Sequence, residues 1–247
     1  MNRKDRRAEK SRTGSERNSS QAVPDLLAKA LEHHNAGRLP EAENTYRQAL
    51  EIDPQNPDTL HLLGVLANDV GKHDAAIELI RRAVAIREDI PFFRNNLGNA
   101  LKDAGKTDEA VSQYRQALAL KPDYAEALSN LGNVYKEQEK LEEAQALYER
   151  SLLLKPNVPE THNNLGTVLK LLDRTEDAKS CYSKALELKP DYPEALYNLA
   201  KTLADQDRFP EAVEYFIKVI TLKPSFVEAY ISVAQCLFHQ HMMDAAV

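Results

Sequence analysis

A primary amide presents a hydrogen-bond donor beside an acceptor, so it can pair with the C=O and the N–H of a peptide backbone together. In this chain of 247 residues such amides recur at a fixed interval. Asn96, Asn130, Asn164 and Asn198 stand 34 residues apart, and Asn99 and Asn133 follow the first two by one helical turn. Lys102, Lys136 and Lys170 lie one turn further on. The segments that carry them, "NLGNALKDA", "NLGNVYKEQ" and "NLGTVLKLL", otherwise read as good helix. Asparagine is a mediocre helix former because its short side chain competes for backbone hydrogen bonds. Its recurrence therefore calls for a reason other than propensity.

One reason is binding. A row of amides on one helical face would grip an extended chain by its backbone, almost regardless of its side chains. Packed helices lie about 8 to 10 Å apart and an extended chain advances roughly 3.3 Å per residue, so one asparagine per helix would meet such a chain every few residues. Each contact gives only about 0.5 to 1.5 kcal/mol net, so several must act together. The other reason is structural: the amides are solvated, or tie neighbouring segments to one another. The two readings predict opposite effects of Asn130→Ala and Asn164→Ala on stability and on binding.

Other chemistry is thin. The sequence has no glycine-rich phosphate loop, no HExxH, and no nucleophile with a plausibly placed base. His239 and His241 alternate, which sends them to different sides of a helix. Cys181 and Cys236 are too isolated for a disulfide framework or a zinc site and read as packing residues. No metal, no cofactor and no catalytic residue is expected in this chain.

Charge narrows the partners. Residues 1–22 hold seven Lys/Arg against three Asp/Glu, leaving 25 against 35 for the remainder. An acidic body lacks the basic stripe that tracks phosphates, so no nucleic acid is expected. The basic arm has almost no apolar residues, which predicts a disordered, solvated tail. No apolar run follows its charges or approaches a membrane span, so neither a secretory signal nor a membrane partner is expected, and the predicted location is cytoplasmic.

The elements that position the amides emerge from self-similarity. Alanine recurs at Ala42, Ala76, Ala110, Ala144, Ala178, Ala212 and Ala246, and a large side chain follows four residues later at Tyr46, Ile80, Tyr114, Tyr148, Tyr182 and Phe216. Small residues form another series, Ala30, Gly64, Gly98, Gly132, Gly166, Ala200 and Ala234. Proline closes most units, at Pro54, Pro122, Pro156, Pro190 and Pro224. Each unit reads as a helical hairpin. In residues 125–158 the stripe Leu128, Leu131, Gly132 and Tyr135 faces Ala144, Leu147, Tyr148 and Leu152, and Pro156 ends the second helix because it lacks an amide hydrogen. The recurrent tyrosines are core packing. Asn130, Asn133, Glu126 and Glu137 fall on a different stripe.

Leu131, Gly132, Tyr135, Ala144, Tyr148 and Pro156, at these spacings, resemble the tetratricopeptide repeat family over residues 23–247. The resemblance implies an all-α fold, a right-handed α-α superhelix of antiparallel helix pairs, with the first helices lining a concave groove. Repeats are expected at 23–56, 57–90, 91–124, 125–158, 159–192 and 193–226, with a truncated seventh at 227–247. Within the family the asparagine row most resembles the superhelix of O-GlcNAc transferase, where such residues hold protein substrates by their backbone. The corresponding sites are Ala28, Leu62 and Ser232 in the first, second and seventh repeats, which confines the row to residues 91–226. Chaperone-tail binders of the family use a basic clamp, whereas the first-turn sites here are Glu126, Glu160 and Glu194, so a C-terminal carboxylate is not the expected ligand.

The expected function is a non-catalytic scaffold that binds a protein or peptide partner. Two alternatives go with it. Because the last repeat stops inside its expected second helix, the chain reads as the substrate-recognition part of a longer glycosyltransferase or methyltransferase. Alternatively its uncapped C-terminal face supports self-association.

Overall fold

The computed structural model describes residues 22–244. The arm expected to be disordered thus lies outside the described residues up to Gln21, and helix begins at residue 22. The fold is all-α: 13 helices, with no strand among the described residues. Two compact units divide at Pro122 and Asp123. The first holds α1 (22–35), α2 (Leu39–Ile52), α3 (Pro57–Asp69), α4 (His73–Ile86), α5 (Pro91–Asp103) and α6 (Thr107–Leu120). The second holds α7 (Ala125–Glu137), α8 (Leu141–Leu154), α9 (Pro159–Leu171), α10 (Thr175–Leu188), α11 (Pro193–Ala204), α12 (Phe209–Leu222) and α13 (Val227–Asp244).

Proline opens α3, α5, α9 and α11, where its missing N–H would be unpaired in any case. Asn56 caps α3 by accepting from the Thr59 amide at 3.0 Å. Each hairpin turns on one left-handed residue. In the first unit these are Gly37, Gly71 and Gly105; the same repeat position in the second unit holds Glu139, Asp173 and Asp207, with φ of 58 to 59°. Around Glu139, the Lys140 amide donates to Tyr135 O at 2.9 Å and the Glu139 amide to Lys136 O at 3.1 Å. This is the Schellman closure, which glycine adopts without the Cβ penalty that glutamate and aspartate carry.

Inside each hairpin a small residue of the first helix meets the large side chain of the second. A Cβ added to Gly98 would lie 2.5 Å from Tyr114, one added to Gly132 would lie 2.9 Å from Tyr148, and one added to Gly166 would lie 2.7 Å from Tyr182. Ala42, Ala76, Ala110, Ala144, Ala178 and Ala212 are fully buried, as are Tyr46, Ile80, Tyr148 and, within one percent, Tyr114, Tyr182 and Phe216. Burying one such aliphatic or aromatic side chain stabilises by roughly 1.5 to 3 kcal/mol. These are the packing series read from the sequence.

The seventh repeat differs from expectation. α13 continues as one helix of 18 residues through His241, the place where the earlier repeats turn. Its Tyr230, Ile231, Leu237, Phe238 and Met242 are exposed.

Candidate functional site

First helices of successive repeats contact one another within each unit: α3 meets α5, α7 meets α9, α9 meets α11, and α11 meets α13. The sequence-predicted amides sit on these helices, and all six, Asn96, Asn99, Asn130, Asn133, Asn164 and Asn198, are half-buried. So are Lys102, Lys136 and Lys170 at the helix ends.

In the second unit the amides form a linked chain. Lys136 Nζ donates to Asn164 Oδ1 at 3.2 Å, and Asn164 Nδ2 donates to Asn133 Oδ1 at 3.0 Å. Tyr148 donates its hydroxyl hydrogen to the same Asn133 oxygen at 2.7 Å. Further along, Asn198 Nδ2 donates to Asn163 Oδ1 at 2.9 Å. In the first unit Asn96 Nδ2 donates to His61 Nε2 at 2.9 Å while its oxygen accepts from Asn95 at 3.2 Å. The amides are thus hydrogen-bonded between repeats, as the structural reading anticipates, and they also line open space. Asn130, Asn133 and Asn164 share a cleft of about 340 Å³ between α7 and α9 with Glu126, Ser129 and Thr161.

Asn99 and Asn133 have a second role that the angle on the helix did not show. Each accepts from the tyrosine 15 residues on, Tyr114 at 2.8 Å and Tyr148 at 2.7 Å. Tyr182 has the Thr167 hydroxyl within hydrogen-bonding reach at the equivalent place. Where the series has Leu31, the Tyr46 hydroxyl is buried with no partner among the described residues, and burial pushes its pKa up to about 12. Asn133 is therefore not freed from packing, because a buried phenol needs its oxygen.

The lysines likewise serve the repeat stack. Lys170 forms an ion pair with Asp205 at 2.6 Å, joining α9 to α11. One repeat earlier the acid's place is taken by Leu171, 59% exposed, and Lys136 turns to Asn164 instead. In the first unit the same register joins His34 to Asp69 at 3.0 Å and Asn68 to Asp103 at 2.7 Å. The first-turn acids are also engaged: Glu126 by Lys155, Glu160 by Lys189 at 3.4 Å, and Glu194 by Lys223 at 3.5 Å. These pairs are about half exposed and contribute little stability.

Sequence reasoning missed the buried polar row beside the amides. His61 is 3% exposed, stacks on Phe93 with ring centroids 4.5 Å apart, and meets the edge of Phe92. Burial pushes its pKa down to about 4, so it is neutral and accepts from Asn96. Asn95 and Asn163 occupy the equivalent places and are also buried. The doublets Asn95–Asn96 and Asn163–Asn164 were the available signal.

A second cleft of about 550 Å³ lies among α11, α12 and α13, with Tyr197, Lys201, Asp205, Gln235 and His239 on its walls. His239 stacks on Phe209 at 5.6 Å. Cys181 is half-buried, its thiol pushed up to about 11 by burial, and Cys236 is buried. Among the described residues no cluster of three His, Cys, Asp or Glu could hold a metal, and no helix is long and apolar enough to cross a membrane.

Profiles described as TPR repeat match residues 30–67 and 98–139, and profiles described as tetratricopeptide repeat match 58–90, 123–191 and 157–225. No curated protein matches the chain. The solved structure of PilF from Pseudomonas aeruginosa is similar at TM-score 0.78, with 23% identity over 88% of this chain and 99% of that one. A chain of the APC/C hetero-tetramer Cut9–Hcn1 is similar at TM-score 0.81 and 18% identity, over 88% of this chain and 43% of that one. YrrB, described as a TPR protein with an unusual peptide-binding site, is similar at TM-score 0.59 and 20% identity over 76% and 96% of the two chains. These are likenesses of fold.

Proposed function

Since the chain belongs to the tetratricopeptide repeat family, we propose that it is a non-catalytic scaffold that holds an extended peptide or protein segment against the first helices of its repeats. The observation that carries the reading is the polar cleft between α7 and α9, where Asn130, Asn133 and Asn164 meet. Side chains of this kind contact backbone rather than side-chain features, as in the O-GlcNAc transferase superhelix that the asparagine spacing resembles. The bonds between repeats support the same reading, because they hold the amides in one orientation before a partner arrives and so lower the ordering cost of binding.

Selection of binders from a random peptide library tests it, followed by partner capture with the Asn96→Ala, Asn130→Ala, Asn164→Ala, Asn198→Ala quadruple variant. Loss of capture by a variant that still melts cooperatively is the expected result. Equal capture by the two proteins would assign the amides to repeat stacking alone.

A second reading, self-assembly, is favoured by the exposed Ile231, Leu237 and Phe238 on α13. Light scattering over a concentration series checks it, and a monomer at every concentration would remove it.

A further inference from the structure

The peptide-holding reading treats each asparagine as offering donor and acceptor together. The bonds around Asn133 say otherwise. An ammonium only donates, so the Asn164 atom 3.2 Å from Lys136 Nζ is the amide oxygen. The nitrogen of Asn164 then faces Asn133 at 3.0 Å, which makes the facing atom of Asn133 its oxygen. Tyr148, 2.7 Å from that same oxygen, must donate to it as well. Both lone pairs of the Asn133 oxygen are thereby occupied. Its Nδ2, with two hydrogens, has no bond within the described residues, and Asn133 is one of the residues that line the α7–α9 cleft.

We propose that Asn133 is a donor-only contact in this cleft, that it takes a backbone carbonyl oxygen of an extended peptide, and that Lys136 is the positioning residue that imposes this polarity. The inference rests on the peptide-holding reading and narrows it: the contact reads carbonyls and is indifferent to the ligand's N–H groups. A neutral carbonyl suits the site better than a carboxylate, because its ionised lining is Glu126, Glu160 and Lys155, a net negative set. Tertiary amides, such as those preceding proline or N-methylated residues, are accepted as readily as secondary ones.

The test has two arms. Without any peptide, side-chain amide exchange followed by NMR should show both Asn133 Nδ2 hydrogens exchanging with water, whereas one Asn164 hydrogen is protected. Protection of Asn133 would overturn the donor-only assignment by itself. In the second arm an oligomer of N-methylglycine, which has carbonyls and no backbone N–H, is titrated beside a glycine-serine peptide of equal length.

The expected result is that both shift the Asn133 side-chain resonance with Kd values within about twofold of each other, since no N–H bond is at stake. An N-methylglycine oligomer weaker by roughly tenfold, the value of a lost hydrogen bond, would overturn the proposal. Binding of neither oligomer, with the exchange pattern as expected, would overturn the peptide-holding reading and this contact with it. Lys136→Met releases the Asn164 amide to flip, and the ratio of the two Kd values should then widen by about threefold in favour of the glycine-serine peptide. A purely structural lysine would leave that ratio unchanged.

Discussion

Tyr148 donates its hydroxyl hydrogen to Asn133 across the hairpin at 2.7 Å, and Tyr114 does the same to Asn99 at 2.8 Å. The pairing varies in step along the chain. Where the second helix has Ile80 or Phe216, the position 15 residues earlier is Val65 or Lys201, and no amide is required. Tyr46 breaks the pattern, because Leu31 occupies that position and the buried Tyr46 hydroxyl has no partner among the described residues.

Opposite signs follow for the same substitution. Tyr148→Phe removes a donor from an occupied oxygen and should cost about 1 to 2 kcal/mol. Tyr46→Phe removes an unpaired buried hydroxyl and should be neutral or stabilise by up to about 1 kcal/mol. Urea unfolding of the two variants checks this; a loss from Tyr46→Phe as large as that from Tyr148→Phe would count against it.

The left-handed turn residues give a second prediction. Glu139→Gly, Asp173→Gly and Asp207→Gly place in the second unit the residue that the first unit already has at this position. Each should stabilise by about 0.5 to 1 kcal/mol, because the relief of the Cβ penalty exceeds the added chain entropy of the unfolded state. Thermal melts of the single variants measure it, and a lowered Tm in all of them would contradict the account of the turns.

At Gly98 a methyl group would collide with the Tyr114 ring at 2.5 Å. Gly98→Ala should destabilise by about 1 to 3 kcal/mol through overpacking. It should also displace the Tyr114 hydroxyl from Asn99, so adding Tyr114→Phe should cost less in the Gly98→Ala background than in wild type. A double-mutant cycle reads the coupling, and strict additivity would show that the ring does not move.

His61 sets a pH dependence in the first unit. Its pKa falls from about 6.5 unfolded to about 4 folded because burial disfavours the imidazolium. The unfolded chain therefore binds more protons between these values. This contribution is fully present above pH 6.5 and is lost as pH falls toward 4, by up to ~3 kcal/mol. Asn96, Phe92 and Phe93 surround the ring. Carboxylates held low, such as Glu43 beside Arg47, lose their contribution only below the ordinary carboxylate range. His61→Leu should flatten the stability profile between pH 6.5 and 5, and an unchanged slope would show that His61 does not titrate there.

Much of the fold could be read from the sequence, because one packing solution repeats: Ala144 and Tyr148 against Gly132 recur every 34 residues, so each hairpin confirms the next. The amides were legible in position but not in partner. Helical angle separates Asn130 and Asn133 from Leu131, yet the bond from Asn164 to Asn133 depends on how far α9 is rotated against α7, and no spacing encodes that. Lys136 and Lys170 look alike in sequence and differ only because Leu171 and Asp205 face them one repeat on. His61 was unreadable for the same reason: its neighbours Phe92 and Phe93 come from another repeat. α13 runs on past the register at which the other hairpins turn, and its residue types do not mark this, since histidine tolerates the left-handed region better than the glutamate that turns at Glu139.

The central claim is that the amides of α7 and α9 bind a peptide in addition to tying repeats together. Isothermal titration of a library-selected peptide into wild type and into the Asn130→Ala, Asn164→Ala double variant, well below the Tm of each, tests it most directly. A Kd raised by about tenfold or more, with the double variant still fully folded, is the predicted result. An unchanged Kd alongside a lowered Tm would contradict it and leave the asparagines as structural ties.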